Sequence, residues 1–200
     1  LNINNDLGLE MSGDFNLENK DDYLQLHSIS LKGNEATLNI KGLYEKNGHF
    51  NGRILLEKLD VSEWITKGKN TNLSGYILLD GDFNKDQISA LDMNVEVDES
   101  ILFEKEASSI SGGISYRDYK LQITNPLTLT IGPSLIEVNG SSNFDSKSLD
   151  LNLSLTEAST FLINNFWKDS LSSGLATGYM YLNGQFDSLG IDADLRIDNF

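Results

Sequence analysis

The chain contains no cysteine, only two prolines and two histidines, and half as many basic residues as acidic ones. Each shortage excludes something. Without cysteine there is no disulfide, no thiolate nucleophile and no zinc–thiolate site. Pro126 and Pro133 are too few to build a proline-rich linker that would divide the 200 residues. No apolar run approaches the roughly 18–20 residues that a membrane-spanning helix needs. The net charge of −15, from 15 basic and 30 acidic residues, argues against nucleic acid and against docking on anionic headgroups, both of which require a basic footprint. His27 and His49 are the only imidazoles, and no Gly-x-Ser-x-Gly elbow is present, so a nucleophilic triad has almost nothing to be built from. Gly112-Gly113, Gly8 and Gly13 precede no helical pattern and make no phosphate loop. The chain reads as a non-enzyme that needs no cofactor.

What is present in abundance is period-two alternation. Leu91, Met93, Val95 and Val97 are separated by Asp92, Asn94 and Glu96. Leu149, Leu151, Leu153 and Leu155 alternate with Asp150, Asn152 and Ser154, and Leu127, Leu129 and Ile131 follow the same rule. Near the end, Ile191, Ala193, Leu195 and Ile197 alternate with Asp192, Asp194 and Arg196. Successive strand side chains point to opposite faces, so every run has one oily and one wet face. This is the pattern of an antiparallel sheet covered on one side only.

Asn47-Gly48, Asp80-Gly81, Gly112-Gly113, Asn139-Gly140 and Asn183-Gly184 read as hairpin turns, because such pairs reach positive φ cheaply. Strands spaced by these turns number about 16–20, and at roughly 4.8 Å each they predict a rod on the order of 80–100 Å long. Two short helices are expected, near Val61–Lys67 and over Glu157–Leu171, the second capped by Thr156.

The chain also repeats itself. Leu73-Ser74-Gly75-Tyr76-Ile77-Leu78-Leu79-Asp80-Gly81-Asp82-Phe83 matches Leu175-Ala176-Thr177-Gly178-Tyr179-Met180-Tyr181-Leu182-Asn183-Gly184-Gln185-Phe186, and Ala36–Gly42 matches Ser134–Gly140. The spacing is about 100 residues throughout, which predicts two stacked units, 1–100 and 101–200, sharing one core. The start at Leu1 and the stop at Phe200 just after a strand-like run read as a slice of a longer array.

Other signals have plainer explanations. Asp80, Asp82, Asn84 and Asp86 alternate as in a calcium loop, but the positions that need Gly and Glu hold Lys85 and Leu91. Trp64 and Trp167 read as packing residues rather than sugar platforms. Asn139-Gly140-Ser141 and Asn152-Leu153-Ser154 match glycosylation sequons by chance in a chain rich in Asn and Ser.

The motif apolar-x-apolar-x-Gly-x-Phe, seen in Tyr76–Phe83 and Tyr179–Phe186, resembles the periplasmic β region of the AsmA/TamB superfamily. So does the passage Gly48–Ser62, a strand followed by Leu59-Asp60-Val61-Ser62. The resemblance covers most of the chain and rests on Gly, Phe and alternating Leu. It implies an all-β fold: an elongated antiparallel sheet curled into a U-shaped groove, built from tandem repeats of about 100 residues with one or two short helices. It further implies a periplasmic segment of a protein anchored in the inner membrane of a diderm bacterium. That protein would carry phospholipid acyl chains or assist outer-membrane protein assembly, with an outer-membrane barrel protein as partner. The anchor and the partner-docking region would lie outside these 200 residues. The groove would be lined by Leu91, Met93, Val95, Val97, Leu127, Leu129, Ile131, Leu149, Leu151, Leu153, Ile191, Leu195 and Ile197. The competing reading is a secreted or surface-attached β-repeat stalk or adhesin with a closed, dry core.

Overall fold

The structure is a computed structural model and describes residues 2–4, 10–32, 36–61, 71–84, 87–102, 105–160 and 174–199. These form thirteen strands. The first seven are β1 (Asn2–Asn4), β2 (Glu10–Asn19), β3 (Tyr23–Lys32), β4 (Thr37–Glu45), β5 (His49–Leu59), β6 (Leu73–Asn84) and β7 (Gln87–Leu102). The rest are β8 (Lys105–Arg117), β9 (Lys120–Ile131), β10 (Ser134–Asn143), β11 (Ser148–Ser159), β12 (Gly174–Gln185) and β13 (Ser188–Asn199). They make one antiparallel sheet in which spatial order equals chain order. The sheet does not close: β1 and β13 are its edges. Thirteen strands at roughly 4.8 Å span about 58 Å.

The strand count falls below the expected 16–20 for a specific reason. Of the five dipeptides read as turns, only Asn47-Gly48 turns the chain. Gly81, Gly112, Gly140 and Gly184 lie inside β6, β8, β10 and β12. Each sits on the apolar face, where a missing side chain makes room for a neighbour: the Phe50 ring packs beside Gly81 and the Leu127 side chain beside Gly112. Glycine here marks close approach within a strand rather than a corner.

The expected helix over Glu157–Leu171 does not begin where it was placed. β11 runs on through Glu157 to Ser159, so Thr156 is a strand residue and caps nothing. Residues 161–171 of that segment, most of Val61–Lys67, and both tryptophans lie outside the described residues. No helix is among the described elements. The sheet is unbroken at residue 100, which falls inside β7.

β-Bulges keep the two faces distinct where the alternation slips. An extra residue near His27 leaves both Leu26 and Ile29 on the same side, because β3 shifts register against both neighbours there. A second bulge separates Leu56 from Leu59, and a third separates Leu155 from Ala158. Lys58 and Glu157, within these last two, take positive φ of 52° and 48°. The Lys58 N–H donates to Ser74 Oγ (3.1 Å), and the Glu157 N–H donates to Thr177 Oγ1 (3.2 Å).

The best-buried residues lie at one end of the strands. Leu56, Val61, Leu73, Val97, Leu102 and Ile131 form one cluster, and Leu155, Ala158 and Ala176 a second. Buried polar groups there are bonded: Thr71 Oγ1 accepts from the Val61 N–H and donates to Asp60, both at 2.7 Å. The opposite end carries aromatic rings. Phe83, Phe144 and Phe186 each donate a backbone N–H at 2.8 Å to a carbonyl in a preceding turn, at Gly48, Tyr119 and Lys147. Phe50 packs against Phe83 with the rings tilted by 41° and 4.9 Å between centroids, and Phe144 meets Phe186 edge-on at 6.2 Å.

Candidate ligand-binding face

Directly opposed residues of antiparallel neighbours share a face, so the registers assign every strand residue to one side. One row runs Leu31, Leu38, Leu56, Gly75, Val97 and Ile110. It continues through Leu129, Ile136, Leu155, Gly178 and Leu195. The next row holds Ile29, Ile40, Ile54, Ile77 and Val95. On the far side of the β9 irregularity it resumes with Leu127, Val138, Leu153 and Met180. A third contains Leu79, Met93 and Ile114, and later Leu151, Leu182 and Ile191. Leu91 and Leu149 belong to a fourth, while Ile131 and Ile197 lie at the buried end. The registers therefore put all thirteen residues expected to line a groove on one face.

That face is apolar and, among the described residues, no second layer of structure covers it. Its central side chains, such as Ile54, Val95 and Leu153, are half-buried by their own neighbours. Toward the ends of the array they open out: Phe15 is 54% exposed on β2, Ile191 68% on β13.

The reverse face is polar and carries the charge pairs. Arg117 grips Asp92 through two bonds of 2.5 and 3.1 Å, which holds the Asp92 carboxyl below its ordinary range. His49 stands between two carboxylates, Nδ1 3.1 Å from Asp82 and Nε2 3.6 Å from Asp80. The Asp82 bond, aided by the charges of Asp80, Asp82 and Glu45, raises the imidazole pKa. Tyr76 donates its hydroxyl to Glu96, and Arg53 lies over the Tyr76 ring at 4.9 Å. Asp80 and Asp82 thus serve strand pairing with His49, while Lys85 and Asp86 of the alternating acidic segment lie outside the described residues.

A hollow of about 850 Å³ lies on this polar side, not on the face expected to be the trough. Its walls come from Lys41, Arg53, Asn51, Asn94, Asp80 and Asp92. Gly42 and Gly52 contribute backbone to its floor, because they face each other and carry no side chain. Sequence reasoning did not find it: the residues come from five strands, and only the register brings them together.

No protein-family model matches the chain, and no curated protein or solved structure shows significant similarity to it.

Proposed function

We propose that the apolar face is a binding surface for acyl chains, and that the chain is a non-enzymatic groove segment of the AsmA/TamB type. In this reading the sheet carries phospholipid tails, or assists outer-membrane protein assembly, across the periplasm of a diderm bacterium, curled about its apolar side. The single observation that carries the proposal is the set of apolar rows, the first continuous from Leu31 to Leu195, on a face that no second layer covers among the described residues. An exposed apolar surface of that extent aggregates unless something occupies it. Acyl chains suit it because each CH₂ removed from water gains about 0.8 kcal/mol, and a flat row of aliphatics offers no polar group that would select a headgroup.

The sheet is further proposed to be two copies of a six-strand unit, β2–β7 and β8–β13. The matched bulges at Lys58 and Glu157 support this, as do Gly75 and Gly178, which occupy the same apolar row six strands apart. The proposed boundary then lies between β7 and β8, close to residue 100.

A photoreactive side chain at position 195, compared with 194 and 196 in the presence of phospholipid, tests the binding proposal. Labelling confined to 195 is the expected result. Equal labelling at all three positions, or none, replaces this reading with the dry β-repeat stalk.

A further inference from the structure

Lys41 and Arg53 face each other across β4 and β5 on the polar side. Like charges in directly opposed positions repel and weaken a sheet. The other such pairs among the described residues are neutralised. Asp80 opposes Asp92, but His49 stands beside the first and Arg117 grips the second. Arg117 opposes Lys120, and Arg117 is the residue paired to Asp92. Lys41 and Arg53 have no ion-pair partner among the described residues; the contact Arg53 makes is with the Tyr76 ring. Along their own strands they are flanked by Asn39, Leu43, Asn51 and Leu55, none of them acidic. In a chain of net charge −15, two cations without an ion-pair partner stand side by side in the wall of this hollow, and the two carboxylates on the same walls, Asp80 and Asp92, are engaged by His49 and Arg117.

We propose that this hollow is an oxyanion site in which Lys41 and Arg53 together receive the phosphate group of a soluble phosphate monoester. Charge and donors both fit. A monoester carries about −1.5 to −2 at neutral pH, which matches two cations. The planar guanidinium donates in a fork and the ammonium as a point charge, while the amides of Gln25, Asn51 and Asn94 on the same walls supply further N–H donors. Leu43 and Leu78 offer apolar surface to the rest of the ligand. The site is independent of the acyl-chain proposal. It opens on the other side of the sheet, and β4 and β5 are interior strands, so a lipid lying on the apolar face cannot bring its headgroup there.

Thermal melts of the chain in inorganic phosphate, in glycerol phosphate and in sodium chloride of equal ionic strength provide the test, with vesicles of phosphatidylglycerol as a fourth arm. At tenfold excess over Kd the phosphate arms should raise Tm by about 3–6 °C more than chloride does. In Lys41→Gln/Arg53→Gln that gain should vanish, whereas Lys147→Gln, in the turn after β10, should keep it. Without phosphate the double variant should melt within a few degrees of wild type, because the repulsion removed offsets the lost contact of Arg53 with the Tyr76 ring. That measurement separates a lost site from a lost fold. Retention of the full phosphate gain in the double variant, or a gain no larger than that of chloride, overturns the proposal. Binding to vesicles without a response to soluble phosphate overturns the assignment to a solute.

Discussion

Lys58 and Glu157 adopt the same left-handed backbone at the same place in two hairpins six strands apart, and each gives its N–H to a hydroxyl on the next strand. The acceptors, Ser74 and Thr177, each precede a glycine, Gly75 or Gly178, that opposes the last leucine before the bulge. Four elements of local geometry therefore recur together. A β-branched residue at either bulge should cost about 1–3 kcal/mol, since it is poorly tolerated at positive φ. Glycine should be accepted at both. Ser74→Ala and Thr177→Ala should each cost about 1 kcal/mol through the orphaned N–H. Denaturant melts of the six single variants check this, and the two members of each pair should agree. Strong disagreement would count against treating the two halves as copies.

Gly75 and Gly178 are the second matched pair. Their φ values, 155° and 149°, lie where L side chains rarely go, and a Cβ at either would press on the backbone carbonyl of Glu96 or Asp194. Gly178→Ala should destabilise by about 1–3 kcal/mol. Gly190→Ala is the control, because it has no positive φ and its nearest neighbour would lie 3.3 Å from the new Cβ. Equal midpoints for the two variants in urea would remove the steric argument.

The contrast between these glycines explains what could be read before the fold was seen. Runs such as Leu91–Val97 and Leu149–Leu155 fix strand and face at once, because a one-residue slip would turn every leucine to water. Asn139-Gly140 and Asn183-Gly184 carry the same local signal as Asn47-Gly48, yet only the last turns. What decides is the close approach of the neighbouring strand's backbone, Asp150 beside Gly140 and Ser188 beside Gly184, which the strand register sets. The bulge at Glu157 is likewise invisible locally, so helix propensity beyond it suggested a start that the strand pairing with Ala176 overrides. The Lys41–Arg53 pair escaped notice for a related reason. Twelve residues separate them, and nothing short of the β4–β5 register makes them neighbours.

The clasp of His49 predicts a pH dependence. Its folded-state pKa is raised above the ordinary imidazole value of 6.5 by the bond to Asp82 and the charges of Asp80, Asp82 and Glu45. The protonated form is the one favoured in the fold. The resulting stability is present in full below the unfolded value and is lost as pH rises through the raised folded value. Wild-type Tm should therefore fall relative to His49→Gln as pH is taken from 6 to 8 (roughly the window in which imidazole titrates). Proton NMR of the His49 ring should show its midpoint above 6.5. A midpoint at or below that value, with parallel Tm curves, would show that the clasp is not formed in solution.

The acyl-chain proposal makes its sharpest demand at Leu195. Val95 and Leu195 both face the apolar side, but Val95 packs against the buried cluster, so a charge there would test the fold as much as the function. Leu195 is 40% exposed and opposes Gly178, which has no side chain to disturb. Leu195→Glu should therefore fold normally while placing a carboxylate in the acyl path, where an unpaired charge costs several kcal/mol. The control needs the same care. Glu96→Val removes the acceptor of the Tyr76 hydroxyl, so it changes more than polarity. Asp194→Val is cleaner, since Asp194 lies one residue away on the exposed polar side. Lipid extracted with the purified chain should fall at least tenfold in Leu195→Glu, the factor that about 1.4 kcal/mol supplies, and should be unchanged in Asp194→Val, with both variants melting within a few degrees of wild type. If the two variants retain lipid equally, the apolar rows do not carry it, and their exposure on β13 belongs to a contact between proteins instead.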